Sequence, residues 1–269
     1  MPSTAYRDDL DLLEALAGAA LKAGAVVMQI RKAGFEAKFK ADESPVTAAD
    51  LASEALLRAE LEAILPGIPV IAEEAVSQGA GETPASTFLL VDPLDGTREF
   101  VGASGEFTIN IGLIVDGVPT LGIIYAPAVG KLYAGGASAF LAHRAPGSLP
   151  DRASWQPIKC RPMPESGLIA VASRSHLDPA TEALLAGLDV ATRMSCGSAL
   201  KFGLVAEGSA DIYPRLGTVC EWDVAAGHAI ILAAGGSVLR PDGTTLPYGR
   251  TEESYLVPAF IVRGAEARR

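Results

Sequence analysis

Apolar residues near the start of the chain recur at the three- and four-residue spacing of a helix. Leu13, Leu16 and Ala20 share one face of a segment that we predict to be helical over residues 10–30. A second helix is predicted over residues 47–65, because a Ser-Pro pair precedes it and a Pro-Gly pair follows it. The chain therefore opens with two helices.

Shorter apolar runs follow, and they predict strands. The run at residues 87–91 leads directly into an acidic segment, and residues 107–144 form short runs with an Asp116-Gly117 hairpin turn. Beyond residue 164 we predict strands at 168–172, 190–194 and 211–213 and helices at 179–188, 198–207 and 223–234. An antiparallel first half and an alternating second half indicate an α/β (α+β) protein built in layers.

A polar, proline-containing stretch at residues 145–164 separates these halves. We therefore predict an N-terminal α+β part over residues 1–150 and a C-terminal α/β part over residues 151–269. Hydrophobic residues make up 49% of the 269 residues, which is enough for a core and excludes disorder of the whole chain.

The charge balance limits the possible partners. The chain has 22 Lys and Arg against 32 Asp and Glu, a formal net charge of −10. This charge argues against a nucleic-acid partner and against electrostatic docking on an anionic membrane. A small anionic ligand remains compatible with it if metal cations lie between the ligand and the acidic residues.

The spacing of the cysteines and the polarity of the N-terminal residues indicate the cellular compartment. Cys160, Cys196 and Cys220 lack the spacing of a disulfide framework or a thiolate zinc site, which fits a reducing compartment. The polar start is unlike a signal peptide, and no apolar run is long enough to cross a membrane. We expect a cytoplasmic protein without an integral membrane segment.

Carboxylates occur where predicted strands end and where predicted helices begin. Asp92 and Asp95 directly follow one apolar strand, and Glu73 follows another. Asp223 stands at the start of a helix. Oxygen ligands suit Mg²⁺, which completes its octahedral shell with water and substrate phosphate oxygens.

Each acid also has a purely structural interpretation. Asp92 and Asp95 fit turn chemistry, and Glu73 fits a solvated surface position. Asp223 suits the first turn of a helix, and Asp50 fits the third position of a capping box. The metal interpretation therefore rests on the joint occurrence of these acids. The sequence has no P-loop motif, which excludes a P-loop NTPase.

Several blocks resemble the signature motifs of the inositol monophosphatase superfamily of Mg²⁺-dependent, lithium-sensitive phosphatases. These blocks are Glu73-Glu74, Asp92-Pro-Leu-Asp-Gly-Thr97 and Trp222-Asp-Val-Ala-Ala-Gly227. Finer blocks resemble the bacterial 3'(2'),5'-bisphosphate nucleotidase branch, and they include Gly105-Glu-Phe-Thr-Ile-Asn110, Ser173-Arg-Ser-His176 and Gly197-Ser-Ala-Leu-Lys-Phe202. One departure is Arg98, where the branch usually has Lys, so the positive charge is kept. The resemblance implies a layered αβαβα sandwich of the inositol monophosphatase and fructose-1,6-bisphosphatase type.

The resemblance also implies a metal site for two or three Mg²⁺ ions. Its ligands carry over to Glu73, Asp92, the Leu94 carbonyl, Asp95 and Asp223, with Asp92 bridging two ions. The first part of the chain would bind the metal, and the second part would complete the site and the nucleotide pocket.

The remaining catalytic roles implied by the resemblance concern the attacking water and the phosphate. Asp50 and Thr97 would orient and deprotonate the water, with Glu73 counted among the catalytic residues as a metal ligand. Gly96 and Thr97 would offer backbone N–H groups to the phosphate at a helix start.

The implied substrate is adenosine 3',5'-bisphosphate, hydrolysed to AMP and phosphate in the recycling of a sulfur-assimilation by-product. The implied substrate contacts are Leu94, Asp95, Gly96, Thr97, His176, Ser198, Lys201, Arg215 and Asp223. We expect a monomer or a homodimer. Some bacterial members of the branch are peripheral on the cytoplasmic face of the inner membrane, for which this acidic sequence gives no separate support.

Two alternative functions remain open at the level of sequence. An inositol or sugar phosphate monoesterase would use the same metal site, and a non-catalytic sensor of a phosphate ligand would keep the same fold. The first alternative is tested by whether His176, Ser198, Lys201 and Arg215 face the cleft and contact a second phosphate.

Overall fold

The computed structural model describes residues 6–39, 45–102, 104–175 and 177–266. Its helices are α1 (Leu10–Ala33), α2 (Ala48–Ile64), α3 (Glu73–Ser77), α4 (Thr97–Val101), α5 (Pro179–Ala186), α6 (Leu200–Ala206) and α7 (Glu221–Ala233). The strands of its first half are β1 (Ala37–Phe39), β2 (Pro45–Thr47), β3 (Val70–Ala72), β4 (Thr87–Asp95), β5 (Thr108–Val115), β6 (Val118–Ala126), β7 (Lys131–Gly135), β8 (Ala139–His143) and β9 (Gln156–Ile158). Those of its second half are β10 (Leu168–Ser173), β11 (Val190–Cys196), β12 (Ile212–Arg215), β13 (Val219–Cys220), β14 (Ser237–Leu239), β15 (Leu256–Val257) and β16 (Phe260–Arg263).

The two N-terminal helices begin at side-chain caps. Asp9 accepts the Leu12 N–H at 2.8 Å at the start of α1, and Thr47 caps α2 through the Ala49 N–H at 3.0 Å. These bonds satisfy backbone donors that have no partner within the helix. Both helices form where the apolar spacing predicts them.

The larger sheet follows chain order, β3-β4-β5-β6-β7-β8-β9. Only the β3–β4 pair is parallel, and the other neighbours are antiparallel, so the predicted meander is present. The edge strand β9 lies beyond residue 150, where the sequence suggests that the first part of the chain ends.

The smaller main sheet has the order β11-β10-β12-β16-β14. Strand β10 is parallel to β11 and to β12, whereas β16 is antiparallel to both of its neighbours. The parallel strands β10 and β11 end near Ser173 and Cys196, so the loops that follow them emerge at one edge.

The sheets and helices stack in five layers. Helices α1 and α2 cover one face of the larger sheet, and α6 and α7 lie between the two sheets. Helix α5 covers the outer face of the smaller sheet through a cluster that includes Leu185 and Ile212. The fold is therefore the αβαβα sandwich that the sequence resemblance implies. None of the described helices has both the length and the apolar character required to cross a bilayer.

A row of three glycines brings α7 close to the larger sheet. Gly112, Gly122 and Gly135 pair across β5, β6 and β7. A Cβ atom at Gly135 would lie 2.5 Å from the Cα atom of Ile230, and one at Gly122 would overlap the carbonyl of Ala226. Helix α7 therefore packs its backbone directly on the sheet at this row, which we call the glycine row.

Candidate active site

A cleft of about 410 Å³ opens between the two sheets. It is lined by ten residues that the sequence suggests for metal or substrate binding: Glu73, Asp92, Leu94, Asp95, Gly96, Thr97, Ser198, Lys201, Arg215 and Asp223. Asp50 is not in the lining but bonds to it through Thr97. His176 lies outside the described residues. One cleft thus collects residues that are up to 150 positions apart in the chain.

The end of β4 shapes the acidic side of the cleft. The sequence predicts that this strand stops at Val91, but it continues to Asp95 through an irregularity between Asp92 and Asp95. Pro93 has no N–H to donate there, and its carbonyl accepts the Ser53 hydroxyl at 2.8 Å. Gly96 then turns into α4 with a left-handed φ of 86°. This turn places two carboxylates beside the start of a helix.

Three carboxylates converge in the cleft. Asp92, Asp95 and Asp223 each offer an oxygen, and these oxygens all lie within 4.8 Å of one another. Burial and the charges of Glu73 and Asp95 hold the pKa of Asp92 well above its usual range. Burial and the charges of Asp95 and Glu73 raise the pKa of Asp223 to about 8. The fold thus concentrates negative charge at this point, and each carboxylate disfavours the ionisation of its neighbours.

Each of the three carboxylates is also held by a protein donor. The Leu94 N–H donates to Asp92 at 2.9 Å, and the Cys220 N–H donates to Asp223 at 2.7 Å. The Ser198 hydroxyl donates to Asp95 at 2.8 Å. The side chains are therefore oriented before any ligand arrives, which is the supporting arrangement expected around metal ligands.

Glu73 and Glu74 have different surroundings in the structure. Their backbone opens the short helix α3, whereas the sequence pattern places them at the end of β3. Glu73 lines the cleft, although its carboxylate lies outside the 4.8 Å group, and Glu74 is only 3% exposed. Glu54 accepts the N–H groups of Glu74 and Ala75 at 2.8 and 2.9 Å. This buried acid of α2 therefore fixes the backbone that carries Glu73, a contact that the sequence analysis missed.

Asp50 joins a helix cap to the cleft. One carboxylate oxygen accepts the Thr47 N–H at 2.8 Å, which completes the predicted capping box. The other oxygen accepts the Thr97 hydroxyl at 3.1 Å. Burial raises the pKa of Asp50 in spite of these hydrogen bonds, which lower it. Asp50 therefore both completes the capping box of α2 and bonds to Thr97 at the cleft.

Ser198 has an unusual backbone and several polar contacts. Its φ of 57° lies in the left-handed region, which is uncommon for a residue with a side chain. Its hydroxyl contacts Thr108 as well as Asp95, and its carbonyl accepts the Lys201 ammonium. Backbone strain of this kind persists where the surroundings fix it, as they do here.

Two cations, Lys201 and Arg215, face the same cleft from the second sheet's side. The Lys201 side chain is only 5% exposed and its ammonium lies 5.3 Å from the Tyr213 ring centre. Burial lowers the pKa of Lys201, whereas the charge of Asp95 opposes that shift. Arg215 donates to the Thr218 carbonyl at 3.4 Å. The Lys201 ammonium therefore lines the cleft and is also held in place by the Ser198 carbonyl and the Tyr213 ring.

The oxygen donors of this cluster fit a magnesium site. Mg²⁺ is bound by carboxylate and carbonyl oxygens with water, and all the predicted ligands are of these types. Leu94 lines the cleft, and its carbonyl lies 3.3 Å from the Thr97 hydroxyl oxygen, as a more distant acceptor than Asp50 for the one hydroxyl proton. A divalent cation would offset the charge that raises the pKa values of Asp92 and Asp223.

Comparisons with known proteins agree with this architecture. The model of the inositol monophosphatase family matches residues 8–266. The 3'(2'),5'-bisphosphate nucleotidase CysQ of Salmonella typhimurium is 40% identical over 253 residues, which cover 93% of this chain and 99% of that protein. The CysQ of Escherichia coli K12 is 39% identical over the same length.

Solved structures give the same result. CysQ from Bacteroides thetaiotaomicron is 37% identical with a TM-score of 0.78, covering 97% of this chain and 99% of that one. An inositol monophosphatase from Anabaena is 28% identical with a TM-score of 0.73, covering 95% and 91% of the two chains. The chain belongs to the inositol monophosphatase family.

Proposed function

We propose that this protein is a Mg²⁺-dependent phosphatase that hydrolyses the 3'-phosphate of adenosine 3',5'-bisphosphate to AMP and phosphate. The observation that carries the proposal is one cleft holding both the acidic cluster and the cations Lys201 and Arg215. The acids suit a metal-bound scissile phosphate, and the cations suit a second anionic group. Relatives named 3'(2'),5'-bisphosphate nucleotidase, which match nearly the whole chain, support the choice of substrate.

In this proposal two or three Mg²⁺ ions would be held by Glu73, Asp92, Asp95, Asp223 and the Leu94 carbonyl. Bound Mg²⁺ would neutralise phosphate oxygens and lower the pKa of the attacking water. Because the carboxylates alone would repel a phosphate dianion, we expect that substrate binding as well as turnover requires the metal.

Thr97 and Asp50 would position the water and take its proton. The Thr97 hydroxyl donates to Asp50, so its oxygen is free to accept a hydrogen bond from the water. A proton leaving the water would pass to Thr97 as the hydroxyl proton moves to Asp50, whose raised pKa favours that uptake. The water oxygen would bond to phosphorus as the bond to the ribose 3'-oxygen breaks. The 3'-oxygen then takes a proton from solvent water, and Asp50 returns its proton to solvent, which gives AMP and inorganic phosphate.

We also propose that Ser198, Lys201, Arg215 and His176 contact the part of the substrate that lies beyond the scissile phosphate.

The division into residues 1–150 and 151–269 is also part of this proposal, because Asp92 and Asp95 come from the first part and Asp223 from the second. The site would then need both parts of the chain to be complete.

The test is phosphate release from adenosine 3',5'-bisphosphate and from inositol 1-phosphate, each with Mg²⁺, without Mg²⁺ and with added Li⁺. We expect release from the nucleotide to be strongly preferred, to require Mg²⁺ and to be inhibited by Li⁺. A preference for inositol 1-phosphate would overturn the substrate assignment. Release from neither compound would favour a non-catalytic sensor of a phosphate ligand.

A further inference from the structure

Glu99 is a buried carboxylate in the cleft wall that has no part in the proposed reaction. It lies on α4, two residues after Thr97, is 7% exposed and lines the cleft. An additional negative charge opposes the binding of a phosphate dianion, so its presence there needs an explanation.

The contacts of Glu99 connect three segments of the chain. One carboxylate oxygen accepts the Ser175 hydroxyl at 2.5 Å. A Cβ atom at Gly96 would lie 3.1 Å from the other oxygen, and one at Gly197 would lie 2.9 Å from its Cγ atom. Glu99 thus contacts the turn after β4, the loop after β10 and the loop after β11.

A second carboxylate holds the same two loops at a more exposed position. Glu106 accepts the Gly197 N–H at 2.8 Å and the Arg174 guanidinium at 2.9 Å. The Arg174 side chain is 45% exposed, so solvent weakens that ion pair. The bond from Ser175 to Glu99 is therefore the more protected of the two attachments.

We propose that Glu99 is a positioning residue that sets specificity, because it fixes the loop after β10 against the turn that carries Asp95 and Thr97. This inference rests on the proposed function. That loop continues from Ser173, which lines the cleft, and Glu99 keeps it in register with the acidic cluster. The nucleoside and its second phosphate are then aligned with the scissile phosphate.

The inhibition constants of the two reaction products, AMP and inorganic phosphate, distinguish this positioning role from a general loss of active-site structure. We expect Glu99→Ala and Ser175→Ala to raise the inhibition constant of AMP and the KM of adenosine 3',5'-bisphosphate about tenfold, the size of one hydrogen bond to a charged group. The inhibition constant of inorganic phosphate with Mg²⁺ should stay within about twofold, because inorganic phosphate has no nucleoside and no second phosphate for the loop to align.

Matched variants complete the experiment. Glu99→Gln keeps an acceptor for Ser175, so it should restore most of the AMP affinity that Glu99→Ala loses. Arg174→Ala removes the exposed pair with Glu106 and the bond from Arg174 to the Ser195 carbonyl, but it leaves Glu99 and Ser175 in place, so it should have a smaller effect than Ser175→Ala. Because Ser175 is exposed, its replacement by Ala leaves the fold intact even if Glu99→Ala does not fold.

Two results would overturn the inference. One is an equal loss of AMP and phosphate affinity in Ser175→Ala, and the other is no change in AMP affinity in Ser175→Ala and in folded Glu99→Ala. Failure of the proposed function would instead appear in the wild-type protein, as absence of phosphate release from adenosine 3',5'-bisphosphate.

Discussion

Two carboxylates, one beside this cleft and one within it, each have a structural and a proposed functional role. Asp50 and Asp223 both stand at the third position of a helix and each accepts the N–H of its own cap residue. Asp50 also bonds to Thr97, and Asp223 also belongs to the acidic cluster. For this reason the structural and functional interpretations of an acid at a helix start do not compete in this protein.

Asp95 provides the most direct residue-level test of the metal proposal. Asp95→Asn keeps the size of the side chain but removes a charge from the cluster, so turnover should fall on the order of 10³-fold. The measurement is the Mg²⁺-dependent rate of phosphate release. Asp8→Asn, at an exposed position, is the control and should keep the wild-type rate. Near-normal activity of the Asp95 variant would exclude this metal site.

Ser198 should affect metal affinity because of its bond to Asp95. Ser198→Ala removes that bond, and loss of a residue that supports a metal ligand weakens binding about tenfold or more. Calorimetric titration with Mg²⁺ measures this without relying on activity. Ser195→Ala, on the exposed side of β11, is the matched control. Equal Mg²⁺ affinity in both variants would contradict this role.

At the scale of elements, α7 contains a buried histidine whose protonation the fold disfavours. His228 is 6% exposed, and its Nδ1 atom lies 2.9 Å from the Tyr248 hydroxyl. Burial lowers the pKa of His228 to about 4. In the unfolded chain the same group takes up a proton near pH 6.5.

The stability of the protein should therefore fall as the pH decreases from about 6.5 to about 4, because only the unfolded chain gains this proton. Between pH 7 and pH 5 the contribution of His228 amounts to about 2 kcal/mol. His228→Asn lacks the titrating group, so the difference in unfolding free energy between wild type and variant should shrink over that range. Denaturant unfolding at both pH values measures it, and a constant difference would refute the assignment.

The elements themselves are largely predictable from the sequence, but their ends at the cleft are not. Apolar spacing identifies α1, α2 and the meander from β5 to β8, because these elements bury regular faces. It misses the continuation of β4 to Asp95 and the helix that begins at Glu73. Both departures depend on contacts from distant segments, such as Ser53 with Pro93 and Glu54 with Glu74.

The candidate site shows the same limit. The resemblance to the family implies which residues belong to one site, and the cleft is lined by ten of those residues. The resemblance does not predict that Lys201 bonds to the Ser198 carbonyl, or that Glu99 bonds to Ser175. Nothing local in the sequence encodes these pairings, since each depends on how the loops fold together.

At the scale of the whole molecule, bound metal should stabilise the fold. Asp92 and Asp95 belong to the larger sheet, whereas Asp223 belongs to α7, so an ion among them connects two layers. Mg²⁺ at 100 times its dissociation constant should add about 2.7 kcal/mol to the unfolding free energy, or about 5 °C or more in Tm.

Thermal unfolding with Mg²⁺ and with EDTA measures this stabilisation. EDTA should lower the Tm of the wild type to that of the metal-free protein. Asp95→Asn is the control, because its Tm should respond little to either addition. A wild-type Tm that is independent of Mg²⁺ would show that no ion connects the two layers.

The glycine row sets how deeply α7 sits on the larger sheet, and Asp223 lies only three residues before Ala226 on that helix. In a saturation mutagenesis screen these glycines should therefore tolerate substitution as poorly as the acidic cluster does, although they are not among the proposed substrate contacts. The three atoms closest to a Cβ at Gly122 all belong to the backbone of Ala226. A smaller side chain at residue 226 would consequently not suppress the effect of Gly122→Ala. Second-site suppressors should instead be substitutions that let the whole of α7 move away from the sheet.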